Sequence, residues 1–217
     1  KGRISDLRKN IDKEITGTVG IGHTRWATHG IPNKINSHPH QSSSKRFTLV
    51  HNGIIENEEE LKEKYLKGIE LQSDTDTEVI VQLLEKFVND DEETELAIRH
   101  TMSELKGSYA LAIIDKKDMN TLYAAKNKTP ILAGKGIGFN MVGSDAMAMI
   151  NHTNLFYEIE DKEFLKITKD NIEIYTIYGN KVNRQPYKAD IDASDTEKGT
   201  YPHYMMKEIE EQPFVIR

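Results

Sequence analysis

Between Tyr109 and Tyr178 the chain breaks into short runs of near two-residue periodicity, and this stretch most limits what it can fold into. The runs are Tyr109–Asp115, Thr121–Lys126, Ile131–Gly134, Phe139–Gly143, Leu155–Glu160, Phe164–Thr168 and Ile172–Tyr178. Turn clusters such as Asp115-Lys116-Lys117-Asp118 and Tyr178-Gly179-Asn180 separate them. Connections this short join antiparallel strands, because a parallel crossover needs a dozen residues or more. Between two of the runs, Ser144-Asp145 ahead of Ala146-Met147-Ala148-Met149 predicts a capped helical turn.

The region before these runs has a different period. Val79, Ile80, Leu83, Leu84, Phe87 and Val88 form one apolar stripe, which predicts a helix from about Asp76 that buries this face. Ile98, Met102 and Leu105 predict another over about Glu92 to Leu105. Asn57 ahead of Glu58-Glu59-Glu60 predicts an N-cap with acids at the positive helix end, in a helix running to about Lys67 and stopping at Gly68. Thr18 to Trp26 and Phe47 to His51 are expected strands. Ile31 to Ser44, with two prolines and Ser42-Ser43-Ser44, is an expected long loop of the kind that is functional or mobile. Lys1 to Glu14 predicts a short helix or ordered loop, Tyr187 to Gly199 a linker, and the tail from His203 a short helix. Helices in one region and many antiparallel strands in another indicate an α+β protein, and the strand number suggests two sheets.

Composition removes several function classes. A hydrophobic content of 37% with 29% charged residues is that of a globular chain. A net charge of −6 without a Lys/Arg run gives no reason to expect nucleic acid. No apolar stretch approaches the roughly 20 residues of a membrane helix, and no secretory signal is visible. The absence of cysteine excludes disulfides within these residues and is compatible with the cytoplasm.

Three segments concentrate chemistry: His23-Thr24-Arg25-Trp26-Ala27-Thr28-His29-Gly30, His51-Asn52-Gly53-Ile54-Ile55-Glu56-Asn57 and Ser73-Asp74-Thr75-Asp76-Thr77-Glu78. A guanidinium such as Arg25 suits a carboxylate, because it donates two parallel hydrogen bonds. On bland readings Arg25 makes a surface ion pair and Trp26 is a core anchor. Asn52-Gly53 is then a hairpin turn, and Asp74 and Asp76 are first-turn helix acids. Chemistry alone does not choose between Asp74 and Asp76 as a partner for an ammonium group.

Together the three segments resemble the glutaminase domains of the glucosamine-6-phosphate synthases, which are class II (N-terminal-nucleophile) glutamine amidotransferases. Tyr201–Pro213 resembles the stretch leading out of such a domain. The resemblance implies a four-layer αββα sandwich of two antiparallel sheets. Residues 1–190 would form the glutaminase domain, and 191–217 an exit segment toward isomerase domains. It implies L-glutamine as substrate and fructose 6-phosphate as the acceptor on the isomerase domains. It also implies a homo-oligomer (a dimer) in the parent, with no cofactor, metal, nucleic acid or membrane. Arg25 would hold the α-carboxylate of glutamine and Asp76 the α-ammonium; Thr28 and His29 would line the carboxylate end. Trp26 would gate the exit of ammonia, and Asn52 and Gly53 would form the oxyanion hole. The Arg25–Gly30 loop would order over bound glutamine. Amidophosphoribosyltransferase, asparagine synthetase and glutamate synthase share the chemistry, but the Arg25–Gly30 run and the Lys207–Pro213 segment favour the sugar enzymes.

Members of that family begin with a cysteine whose thiol attacks glutamine and whose α-amine is the base. This chain starts Lys1-Gly2-Arg3-Ile4 and has no cysteine. On the resemblance it lacks the opening strand and the helix after it. It is expected to be silent in glutamine hydrolysis by itself, and aggregation-prone unless another segment completes it. Two other classes remain: a catalytically silent glutamine-binding or regulatory module, and a metal-dependent amide hydrolase using His23, His29, His38 and His40. Pro39 interrupts the His-x-His pair and no acidic ligand spacing accompanies it. Gly134-Lys135-Gly136-Ile137-Gly138 is expected to be a hairpin turn rather than a phosphate cradle, and no Gly-x-Ser-x-Gly is present.

Overall fold

The computed structural model describes residues 4–11, 15–24, 31–190 and 198–216. Its elements follow the periodicity closely. Helix α1 (Ile4–Asn10) precedes strands β1 (His40–Gln41) and β2 (Phe47–Ile55), then helices α2 (Glu58–Tyr65), α3 (Asp76–Asn89) and α4 (Thr94–Glu104). The strand-rich region holds β3 (Gly107–Asp115), β4 (Leu122–Asn127), β5 (Leu132–Lys135), β6 (Asn140–Gly143), β7 (Leu155–Glu158), β8 (Glu163–Ile167) and β9 (Ile172–Thr176). Short strands β10 (Lys181–Val182) and β11 (Tyr187–Lys188) and helix α5 (Tyr204–Val215) follow.

These strands form two antiparallel sheets, and the fold is α+β. One sheet has the order β1-β2-β3-β4-β8-β9-β10, the other β11-β7-β5-β6. The longest pairing is β2 with β3, from Phe47 opposite Asp115 to Ile55 opposite Gly107. Alternation along these strands sorts side chains by size. Phe47, Leu49, Leu111, Ile113 and Phe164 point to one face and pack with Val79, Ile80, Leu83, Leu84, Ile98 and Met102 of α3 and α4. The opposite face carries Val50, Ala110, Ala112, Ala124 and Leu165, which pack with Ala133 of the small sheet. Bulky residues fill the helix side, and small ones leave room between the sheets. A 3-10 turn, Ala146–Ala148, capped by the Asp145 carboxylate on the Met147 N–H, packs with Phe156 on the small sheet. Helices α1 and α5 bury none of their residues, and no helix among the described residues is long and apolar enough to cross a membrane.

Three local expectations change. The Thr18–Thr24 part of the expected first strand has no strand pairing, although Val19 and Ile21 alternate into the core between the sheets. A strand needs a ladder partner, and none runs beside it among the described residues. Asn57 stands at the N-cap of α2 but makes no side-chain cap bond. Its amide instead donates to the Glu104 carbonyl and accepts from the Lys106 N–H, tying α2 to the α4–β3 junction. Tyr187–Lys188, read as linker, pairs with β7 because Tyr187 packs near the Phe156 ring.

The triple serine turn is a latch on α3. Ser42 and Ser44 donate their hydroxyls to Glu85 Oε1, the Ser44 N–H donates to Glu85 Oε2, and the Ser43 N–H and hydroxyl both reach Gln82 Oε1. Glu85 and Gln82 are buried, so these donors compensate for their lost hydration. A Glu85→Ala variant leaves several donors unpaired and is expected to lose about 2–3 kcal/mol in urea denaturation. A change below about 0.5 kcal/mol, the size of an ordinary surface substitution, would remove the latch from the account.

Candidate active site

Strand β2 does not stop at Asn52-Gly53, as the hairpin reading requires; it runs on to Ile55. Gly53 has φ +128°, and a Cβ there would lie 2.1 Å from the Ser108 carbonyl oxygen. Across the pair, Gly107 has φ +118°, and its Cβ would lie 2.3 Å from the Ile54 carbonyl oxygen. Each strand meets the other's backbone at a point only glycine can occupy. The chain is thereby carried past Asn52 without turning back, and Asn52 stays exposed on the strand.

The start of α3 meets the same strand end. Thr75 is the N-cap, its hydroxyl accepting from the Glu78 N–H. Asp76, the first helical residue, accepts the Ile55 N–H on Oδ2 at 2.9 Å. Its other oxygen lies 3.8 Å from His51 Nδ1 and accepts the Thr77 hydroxyl at 3.3 Å. Asp74 is used differently. Its carboxylate accepts from Asn36 Nδ2 at 3.1 Å, and the Asp74 N–H returns a bond to Asn36 Oδ1 at 3.0 Å. Asp74 thus anchors the 31–44 loop, and Asp76 alone of the two joins the β2 end.

Histidines fill the space behind. His38 accepts the His51 backbone N–H on Nδ1 at 3.2 Å, which places the proton of a neutral ring on Nε2, 3.4 Å from the Thr77 hydroxyl. His51 Nδ1 lies 3.0 Å from the same hydroxyl. Burial lowers the His51 pKa, only partly offset by the nearby Asp76 carboxylate, so the ring is held neutral. His40 Nε2 lies 3.0 Å from the Thr75 hydroxyl. The rings of His23 and His38 stack at 4.3 Å, and His38 meets His40 edge-on at 5.2 Å. Among the described residues no group of three or more His, Asp or Glu side chains is arranged to hold a metal ion. His38 and His40 instead support the N-terminus of α3.

His23 also reaches the strand: its Nε2 lies 2.7 Å from Asn52 Oδ1. Both residues border a cavity of about 1240 Å³ between the sheets. Its walls are the 18–24 segment, Val50–Asn52 of β2, Ala110–Ala112 of β3 and Phe139–Gly143 at β6. Of the residues expected at the site, Asn52, Gly53 and Asp76 converge on the C-terminal half of β2. Arg25, Trp26, Thr28 and His29 lie outside the described residues. Sequence reasoning gave no role to Asn36, His51 or Thr77, although each stands beside a quoted residue in space. His38 and His40 stood out for their His-x-His spacing, weighed as metal ligands against ordinary polar contacts of the loop; their partners on α3 were not foreseen.

The two-sheet α+β fold that carries this strand–helix junction has a family, which comparison with known proteins identifies. The family model described as "Glutamine amidotransferase domain" matches residues 23–151, more than half of the chain. The chain belongs to the glutamine amidotransferase domain family. Over all 217 residues it is 63% identical to the glutamine–fructose-6-phosphate aminotransferase (isomerizing) of Geobacillus kaustophilus. It is 61% identical to that of Halalkalibacterium halodurans and 56% to that of Bacillus cereus. The chain spans 36% of the length of each of these relatives. Among solved structures it is similar to the glutamine phosphoribosylpyrophosphate amidotransferase of B. subtilis complexed with ADP and GMP. There the TM-score is 0.59 with 25% identity, over 71% of this chain and 34% of that one. The structure titled as the allosteric regulatory enzyme of purine biosynthesis shares the fold, with TM-score 0.56 and 24% identity over 66% of this chain and 31% of its own.

Proposed function

We propose that these residues form the glutaminase part of a glutamine–fructose-6-phosphate aminotransferase. It hydrolyses L-glutamine to glutamate and supplies the ammonia that converts fructose 6-phosphate to glucosamine 6-phosphate. The observation that carries the reading is the junction of β2 and α3, where Asn52-Gly53 and the Asp76 carboxylate come together on one strand end. The high identity with curated relatives of that name supports the choice of acceptor.

Acyl transfer from glutamine needs a nucleophile, a base, an oxyanion hole and a grip on the amino acid. Asn52 and Gly53 are the oxyanion donors in this reading, an amide side chain and a backbone N–H. Asp76 pairs with the substrate α-ammonium, and Arg25 forks onto the α-carboxylate. Thr28 and His29 line that end, and Trp26 gates the path of ammonia. The nucleophile is a cysteine thiol outside these residues, its own α-amine the base. Attack on the amide carbon gives a tetrahedral oxyanion. Its collapse expels ammonia and leaves a thioester, and water then releases glutamate and restores the thiol. Residues 1–190 act as the glutaminase domain and 191–217 lead toward isomerase domains that hold fructose 6-phosphate, in a cytoplasmic homodimer.

Glutamate release from glutamine by the full-length polypeptide carrying these residues tests this. Release that rises with fructose 6-phosphate is expected. Release indifferent to the sugar phosphate would transfer the domain to another amidotransferase, and no release would leave a silent glutamine-binding module. A polypeptide of these 217 residues alone has no thiol and is expected to release none.

A further inference from the structure

We infer that His23 is a positioning residue for the oxyanion hole: it holds the Asn52 side-chain amide in the one orientation that offers hydrogens, rather than an oxygen, to the reacting carbonyl. The inference rests on the glutaminase reading above and concerns a residue to which that reading gives no role.

A primary amide has two faces of opposite chemistry, and rotation about its last bond exchanges them. With its oxygen toward the reacting centre, Asn52 would repel a developing oxyanion; with its NH₂ there, it stabilises one. The Asn52 backbone does not choose between these states. His23 does, because its Nε2 lies 2.7 Å from Asn52 Oδ1. An oxygen acceptor requires a proton on that nitrogen. In a neutral ring Nδ1 is then the lone pair, and Nδ1 is buried with no hydrogen-bond partner among the described residues. The opposite tautomer would accept from Nδ2 and turn Oδ1 outward. Asn52 Nδ2, by contrast, has no bond to any described residue, so its hydrogens are available to a ligand, and Asn52 borders the cavity.

The ring that does the holding is itself held. His23 stacks on His38 at 4.3 Å with 23° between planes. His38 is fixed by the backbone N–H of His51, the residue next to Asn52, at 3.2 Å. His23, Asn52, His51 and His38 thus close a circuit, so the donor is oriented before substrate arrives, as preorganised electrostatic catalysis requires.

The test is a double-mutant cycle on glutamate release by the full-length polypeptide. His23→Ala is expected to lower kcat by roughly 10- to 100-fold with KM for glutamine changed less than about threefold, because the loss is confined to the transition state. In an Asn52→Ala background the same substitution is expected to change kcat less than about threefold, since the group it orients is gone. His23→Gln, whose amide still donates to Oδ1, is expected to recover part of the loss. Equal kcat losses in both backgrounds, or a rise in KM at unchanged kcat, would overturn the assignment while leaving the glutaminase intact. No release from the unsubstituted protein would overturn the glutaminase reading and this assignment with it. Should His23→Ala fail to fold, imidazole ¹⁵N shifts of the unsubstituted protein decide: a proton on Nε2 sustains the proposal and one on Nδ1 overturns it.

Discussion

Replacing Gly53 by alanine is expected to lower stability by at least about 3 kcal/mol, and in a marginal domain to prevent folding. Two costs act together. The residue has φ +128°, in a region where an L side chain is strained. The added Cβ also meets the Ser108 carbonyl oxygen at 2.1 Å, and this is backbone, which cannot swing aside as a side chain would. Relief requires parting β2 from β3, the longest pairing among the described residues. Thermal unfolding of Gly53→Ala beside a surface control such as Lys116→Ala measures this. A transition within about 2 °C of the parent would mean that β2 has another way past this point. Gly107→Ala is expected to behave alike, because its Cβ would meet the Ile54 carbonyl oxygen.

Arg46→Met is the other large effect, far from the site. Asp115 ends β3 with a side chain only 2% exposed. Arg46 donates to it through Nε at 2.9 Å and Nη2 at 2.8 Å, and Thr94 adds its hydroxyl at 2.8 Å. Burial would raise this carboxyl. The bond from Arg46, those from the Lys117 N–H and Thr94, and the guanidinium charge outweigh it and leave the pKa below the usual range. Removing the guanidinium leaves a buried charge without its counterion, and breaking such a pair costs about 3–5 kcal/mol. The sign with pH follows. A lowered carboxyl contributes stability above its unfolded pKa, and that contribution is lost as pH falls through the folded value. Parent and Arg46→Met are therefore expected to differ most near neutral pH and to converge only as pH falls through the lowered folded value of Asp115, in acid below the ordinary carboxylate range. A difference independent of pH in urea denaturation would point to lost stacking of the Arg46 guanidinium on the Phe47 ring instead.

Both effects concern residues whose importance is only partly visible in the chain. Asn52-Gly53 stands out as a motif, yet its local chemistry is that of a hairpin turn. The difference lies in Ser108, more than fifty residues away in sequence, whose carbonyl leaves no room for a side chain. Asp74 and Asp76 present the same problem. As neighbours in sequence they are equivalent acids at a helix start. Asn36 claims one and the Ile55 N–H the other, and neither partner is near in sequence. The Ile31–Ser44 run, with its three serines, suggested a long loop that is functional or mobile, because nothing local shows that Glu85 and Gln82 face Ser42–Ser44 from α3.

What the sequence determined by itself is whatever depends on period and on residue type. The helix stripe at Val79–Val88, the alternating runs after Ser108 and the capped turn at Asp145 are all local patterns, and each became the element expected. The tertiary structure decided whatever depends on a partner. An extended segment such as Thr18–Thr24 becomes a strand only beside another strand, and Asn57 caps its helix only if no stronger bond competes. Asn52 Oδ1 meets His23 Nε2, a group far from it in sequence. Hydrogen-bonding groups are satisfied by whichever group packing brings near, and that identity is not encoded in the few residues on either side.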